Sequence, residues 1–206
     1  MRLFHAVVLL LAAPFLWAQE AGDFDYYLLA LSWSPSWCET TGDEREAPEC
    51  RPGSDLGFVL HGLWPQYEAG WPEWCDTAKR DPSRRETAAM ADLMGSGGLA
   101  WHQWQKHGRC TGLDPEDYFA LSRQAFGTVI LPELEPGRLT AEELEEAILA
   151  LNPDLGPDGL IVTCHEGLVQ EVRICLDRDL EPRDCGVDVL ERACPVYREL
   201  ALPPPR

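Results

Sequence analysis

The stretch DFDYYLLALSWS, residues 23–34, is aromatic and apolar and meets no breaker before Pro35. A short continuous apolar run bounded by turn residues reads as a buried strand. Outward from it, residues 39–54 are polar, carry Pro and Gly, and lie between Cys38 and Cys50, which predicts a loop. Residues 56–60 are a second short apolar run, ending at His61, and read as a second central strand. Near the other end, residues 160–164 and 168–176 alternate like the arms of a hairpin turning at Glu166-Gly167.

Between these strands lie helical signals. SRRETAAMADLM, residues 83–94, starts with Ser83 and has Glu86 three positions on, a capping box, and is closed by Gly95. Residues 114–126 have Asp114 as a cap and Pro115 in the first turn. TAEELEEAILAL, residues 140–151, repeats the box with Thr140 and Glu143 and turns an acidic face to solvent. Strands at both ends with helices between predict an α+β fold, a central antiparallel β-sheet flanked by helices. No internal repeat or linker divides the chain, and the tail LPPPR is expected to fray.

Residues 1–18 have Arg2, an apolar run over 6–16 and small residues after it, the pattern of a secretory signal peptide. The run is short for a bilayer span. This leaves 19–206, about 188 residues, as a single domain with a sizeable core, periplasmic or secreted and without stable membrane association. Eight cysteines follow the signal: Cys38, Cys50, Cys75, Cys110, Cys164, Cys175, Cys185 and Cys194. An even number behind an export signal reads as four disulfides. Their irregular spacing, with no CxxC pair, argues against zinc. Composition alone leaves the pairing open.

The formal net charge is −18 over 206 residues, and −19 once Arg2 leaves with the signal, since no acidic residue precedes Ala18. That sign excludes a tight binder working through phosphate neutralisation. It permits an enzyme that touches one or two nucleotides and releases them.

Four histidines remain outside the signal, and three sit in two compact segments, HGLWP at 61–65 and HQWQKHGRC at 102–110. Histidine exchanges protons near neutrality. If residues 98–107 are helical, His102 pairs with Lys106 and Gln103 with His107 at i,i+4, giving one polar stripe suited to a phosphate. Trp101 and Trp104 then face elsewhere. His61 is followed by Gly62, which admits the close approach of a ligand, and Trp64 offers a ring on which a base stacks or a core side chain. His165, outside both segments, reads as structural. Trp33, Trp37, Trp71 and Trp74 read as packing.

HGLWP followed some forty residues later by W-x-K-H-G-x-C resembles the two active-site segments of the ribonuclease T2 family. DFDYYLLALSWSPSWC and LVQEVRICLD are also similar to strands of that family, notably of its bacterial exported members. The resemblance implies endonucleolytic, metal-independent cleavage of single-stranded RNA, with little base specificity, through a 2′,3′-cyclic phosphate. DNA lacks the attacking 2′-hydroxyl and is excluded. No cofactor is implied, and a monomer is expected. By the same resemblance His107 is the general base, His61 the general acid, Lys106 the group that offsets charge on the phosphorane, His102 a phosphate contact and Trp64 a base contact. The implied pairing is Cys38–Cys50, Cys75–Cys110, Cys164–Cys194 and Cys175–Cys185.

The chain departs from that family in three places. Gln103 stands where a Glu is usual, Arg109 replaces a Thr, and Gln66 stands where the family often has an acidic or other base-reading residue, so base preference does not carry over. Gln103 donates a hydrogen bond but carries no charge, so a slower enzyme or a less acidic optimum is expected. Two rival readings follow from the same residues: a catalytically impaired relative that binds RNA or nucleotides, and a metal held by His61, His102 and His107.

Overall fold

The computed structural model describes residues 20–206; the expected signal, 1–18, lies outside the described residues. In chain order the elements are β1 (Tyr26–Trp33), α1 (Ser34–Trp37), β2 (Phe58–Gln66), α2 (Arg84–Ala88), α3 (Ala91–Met94), α4 (Gly97–Lys106), α5 (Pro115–Gly127), β3 (Gly137–Thr140), α6 (Ala141–Leu151), β4 (Leu160–His165), β5 (Leu168–Leu176), α7 (Val187–Leu190) and β6 (Glu199–Leu202). The strands form one sheet in the order β2-β1-β5-β6-β3, with β4 also on β5. Between the named strands all ladders are antiparallel except one parallel bridge, Leu168 to Ala201, between β5 and β6. The mixed α+β architecture is therefore as expected.

The pleat of β1 divides the molecule. Leu29 and Leu31 point one way and join Val172 and Ile174 of β5 in the main core. Against that face pack Met94 of α3, Ala100 and Trp104 of α4, Tyr118 and Phe119 of α5, and Leu144 and Ile148 of α6. Leu28 points the other way, into a smaller cluster with Tyr26, Ile161, Cys175 and Val189. A strand in mid-sheet buried on both faces needs no polar alternation, which is why residues 23–34 read as a continuous apolar run.

Several expectations are corrected. β2 does not end at His61 but runs through it to Gln66. The helix expected over 83–94 breaks into α2 and α3; both arms of the Ser83–Glu86 capping box form, and Gly95 ends α3 at φ 77°. The hairpin turn at Glu166-Gly167, by contrast, is as expected: His165 pairs with Leu168 and both turn residues have positive φ, 52° and 82°, the conformation a two-residue hairpin favours. The tail is not frayed. β6 pairs with β3, Trp33 Nε1 donates to the Pro203 carbonyl at 3.0 Å, and Arg206 pairs with Asp43 at 2.6 Å.

Four disulfides join Cys38–Cys50, Cys75–Cys110, Cys164–Cys194 and Cys175–Cys185, the pairing implied by the resemblance. Among the described residues no helix is long and apolar enough to cross a membrane.

Candidate active site

His61 occupies an irregular position in β2. Ala30 pairs with Gly62 and Leu31 with Leu60, so His61 is the extra residue of a β-bulge. Leu60 and Leu63, three residues apart, both reach the main core; regular alternation would send them to opposite faces, and the bulge resets it. The same reset turns His61 and Trp64 away from the main core, where they line a cavity of about 300 Å³.

The second segment reaches that cavity from α4. Ser96 caps the helix, its Oγ accepting from Leu99 N. Trp104 is buried in the core and donates from Nε1 to Asp81 at 3.2 Å, while Trp101 is exposed. Gln103 and His107 are buried, whereas His102 is exposed and Lys106 half-buried, so the expected stripe is split between a dry edge and a wetter one. His107 lies just past the helix; its N–H closes the last turn on the Gln103 carbonyl, at 2.9 Å. The Cys75–Cys110 bridge and a Trp74 N–H to Lys106 carbonyl bond of 2.8 Å hold residues 71–75 across the end of α4. There Glu73 reaches Lys106 at 3.4 Å.

Trp64 joins the two histidines. Its ring stacks on His107 at 5.0 Å and 24°, meets His61 edge-on at 5.1 Å, and lies beneath the Arg173 guanidinium at 5.4 Å. Its Nε1 donates to Gln103 Oε1 at 2.7 Å. Trp64 is therefore a wall that spaces the site, with its indole already engaged. Gly62 is needed for this packing: a Cβ there would collide with the Trp64 Nε1 and the Gln103 Oε1. The close approach that the glycine permits is thus made by the protein's own side chains.

Glu171 of β5 was not foreseen. Its Oε1 lies 2.5 Å from His61 Nδ1 and 3.2 Å from Ser32 Oγ, and its Oε2 accepts from Arg173 Nε at 2.8 Å. A carboxylate only accepts, so His61 Nδ1 carries the hydrogen and Nε2 is left as the exchanging nitrogen. Glu171 is 3% exposed. Burial alone would raise its pKa, but the His61 bond and the Arg173 charge outweigh it and bring it down to about 2. His107 is shifted in the other sense. Burial, with Lys106, His61 and His102 nearby, pushes it far below the ordinary imidazole value, and its Nδ1 has no hydrogen-bond partner among the described residues. His102 is also lowered, by burial and then by Lys106 and His61.

The site thus offers a neutral imidazole at His107, an imidazole at His61 bonded to the buried Glu171 carboxylate, and the half-buried Lys106 ammonium lining the same cavity.

The tryptophans expected to be packing divide. Trp33 is buried. Trp71 lines the active-site cavity, with the Arg192 guanidinium 4.6 Å over its ring. Trp74 is 52% exposed and lies edge-on to His102 at 5.7 Å. Trp37 lines a second cavity of about 530 Å³ that shares His61 and His102 with the first. His165 is exposed on the hairpin, away from both.

This fold and paired-histidine cleft define a class, and the chain belongs to the ribonuclease T2 family, whose sequence pattern matches residues 24–185. It is a ribonuclease. Among its relatives is a ribonuclease of Aeromonas hydrophila, 35% identical over 189 residues, covering 85% of this chain and 83% of that one. Solved structures agree in fold. An RNase-related protein from Calystegia sepium is 20% identical with a TM-score of 0.67, covering 89% of this chain and 99% of its own. RNase NT in complex with 5′-AMP is 22% identical with a TM-score of 0.60, covering 88% and 99%.

Proposed function

We propose that this chain is an exported endoribonuclease that cleaves single-stranded RNA by transphosphorylation. Neutral His107 removes the proton from a ribose 2′-hydroxyl. The 2′-oxygen attacks the adjacent phosphorus, the bond from phosphorus to the 5′-oxygen breaks, and protonated His61 gives its Nε2 proton to that leaving oxygen. The product ends are a 2′,3′-cyclic phosphate and a 5′-hydroxyl. Lys106 offsets charge on the equatorial oxygens, a preorganised electrostatic role, and His102 contacts the same phosphate. Gln103, with Oε1 committed to Trp64, has its Nε2 hydrogens left for phosphate oxygen.

The observation that carries this reading is the pair His61 and His107 against one tryptophan in one cleft, with opposite electrostatic surroundings. The attacking group belongs to the substrate, so the steps call on no metal and leave DNA uncut. The cavity bounded by Trp64, Gln66, Trp71 and Arg192 is where we place the base on the 2′-hydroxyl side. The second cavity, beyond the proton donor His61, receives the leaving nucleoside. Residues 1–18 act as the export signal, and the disulfides fit an oxidising compartment.

The test is cleavage of a short fluorescent RNA by the oxidised protein beside His61→Ala and His107→Ala. Each substitution is expected to cost roughly 10²–10⁴-fold in rate without loss of fold. Nucleotide binding with no turnover by intact protein would replace this reading with a binding-only one.

A further inference from the structure

The second cavity is lined by a carboxylate with one oxygen left unpaired among the described residues. Glu49 lines it from the loop closed by Cys38–Cys50. Its Oε2 is buried and has no hydrogen-bond partner among the described residues. A carboxyl oxygen shut from water without a donor is costly, and it repays that cost when a ligand brings N–H groups to it. Around it, Leu56, Val59, Met94 and Leu99 supply apolar surface for the faces of a planar ring, and Arg45 supplies a donor. The volume, about 530 Å³, accommodates a nucleoside.

The wall carrying Glu49 is fixed rather than loose. The disulfide closes the loop, Arg206 binds Asp43 through both guanidinium nitrogens, at 2.6 and 3.0 Å, and Asp55 N–H donates to the Arg206 carbonyl at 2.7 Å. A reading group on a pre-positioned wall pays little ordering cost on binding.

We infer that Glu49 reads the base of the leaving nucleoside and selects guanine there. This rests on the assignment of the second cavity to the leaving side of the scissile phosphate. A carboxylate accepts two parallel hydrogen bonds, and guanine presents adjacent N1–H and N2–H donors with an O6 acceptor next to them for Arg45. Adenine and cytosine present one amino group beside an acceptor that a carboxylate repels. Uracil presents one N–H flanked by two carbonyls. A site built to bind a substrate N–H discriminates against bases lacking it, because its own polar group is left unpaired.

The experiment measures kcat/KM on ApG, ApI, ApA, ApC and ApU, which differ only in the leaving base, for the oxidised wild type, Glu49→Gln and Glu49→Ala. Melting temperatures monitor folding. The wild type is expected to prefer ApG over ApU by about ten-fold or more. ApI, which lacks the 2-amino group, is expected to fall between them. Both variants should bring the ApG:ApU ratio to within about two-fold. A wild type indifferent to the leaving base, or a preference that survives in folded Glu49→Ala, overturns the assignment. Binding of 5′-GMP against 5′-UMP by calorimetry, in the same three proteins, separates this from failure of the catalytic reading. Preferential 5′-GMP binding lost in Glu49→Ala supports the Glu49 assignment even if no dinucleotide is cut, and equal binding of both nucleotides by the wild type contradicts it.

Discussion

Glu171 and His61 are 110 residues apart in sequence, and their Oε1 and Nδ1 atoms are 2.5 Å apart in the fold. The bond fixes which imidazole nitrogen is free to exchange a proton. Glu171→Gln removes the charge while keeping the shape. It also leaves Arg173 without its buried partner, and breaking such a pair costs about 3–5 kcal/mol. The expected result is a lower melting temperature and a kcat reduced by roughly ten-fold or more, toward the loss in His61→Ala, since general acid catalysis contributes about 10²–10⁴-fold. The pH dependence of stability should change too. The folded pKa of Glu171 is depressed from 4.5 to about 2, so its contribution is present above 4.5 and is lost as pH falls through about 2. Chemical denaturation across that window should be flatter in Glu171→Gln.

His107 should remain neutral well into the acid range, because burial, together with Lys106, His61 and His102, disfavours its charged form. The acid limb of kcat/KM should therefore lie well below the ordinary imidazole pKa of about 6.5. Titration of its ring signals by NMR checks this directly. Gln103→Glu would keep an acceptor for Trp64 Nε1 and add a negative charge beside His107. A nearby opposite charge favours the imidazolium, so the acid limb should move to higher pH; with Gln103 in place the limb lies lower, which corrects the less acidic optimum expected for this residue from the sequence. An unchanged profile would mean that the residue at 103 acts only by holding Trp64.

Gly62→Ala should disturb the site without touching either histidine. The added methyl overlaps the Trp64 indole and the Gln103 amide, and overpacking costs about 1–3 kcal/mol. Displacing Trp64 moves the surface against which both histidines rest, so activity should fall more than stability alone explains. Kinetics and a melting curve on one preparation distinguish the two effects.

The Cys75–Cys110 bridge anchors the loop bearing Trp74 across the end of α4. Replacing both cysteines by Ala should lower stability by about 2–4 kcal/mol. It should also weaken RNA cleavage, because Glu73 and Trp74 would no longer be held beside Lys106 and His102.

Much of this was legible in residues 23–34 and in the two histidine segments, because a doubly buried strand and a capped helix are written in local pattern. His107, Lys106 and His61 line one cavity, a convergence that the family resemblance implied and that local spacing does not contain. Glu171 was hidden because it sits in a strand segment, QEVRIC, that reads as ordinary alternation. Only the pairing of Ser32 with Glu171 across β1 and β5 turns it toward His61. The bulge at His61 was hidden for a similar reason: an unbroken apolar run gives no sign that register slips by one. β3 and β6 are four residues each, too short for periodicity to declare. The anchoring of the tail depends on Arg206 meeting Asp43, a contact of 163 residues' separation that no local rule contains.

The central claim is that the substrate's own 2′-hydroxyl is the nucleophile, activated and resolved by two histidines. A DNA oligonucleotide carrying a single ribonucleotide, incubated with the oxidised protein in EDTA, tests it most directly. The account predicts one cut, immediately 3′ to the ribonucleotide, with a 2′,3′-cyclic phosphate on one fragment and a 5′-hydroxyl on the other, both visible by mass spectrometry. Cleavage at deoxynucleotides, a 5′-phosphate product, or activity that returns only when a divalent metal is added would contradict it.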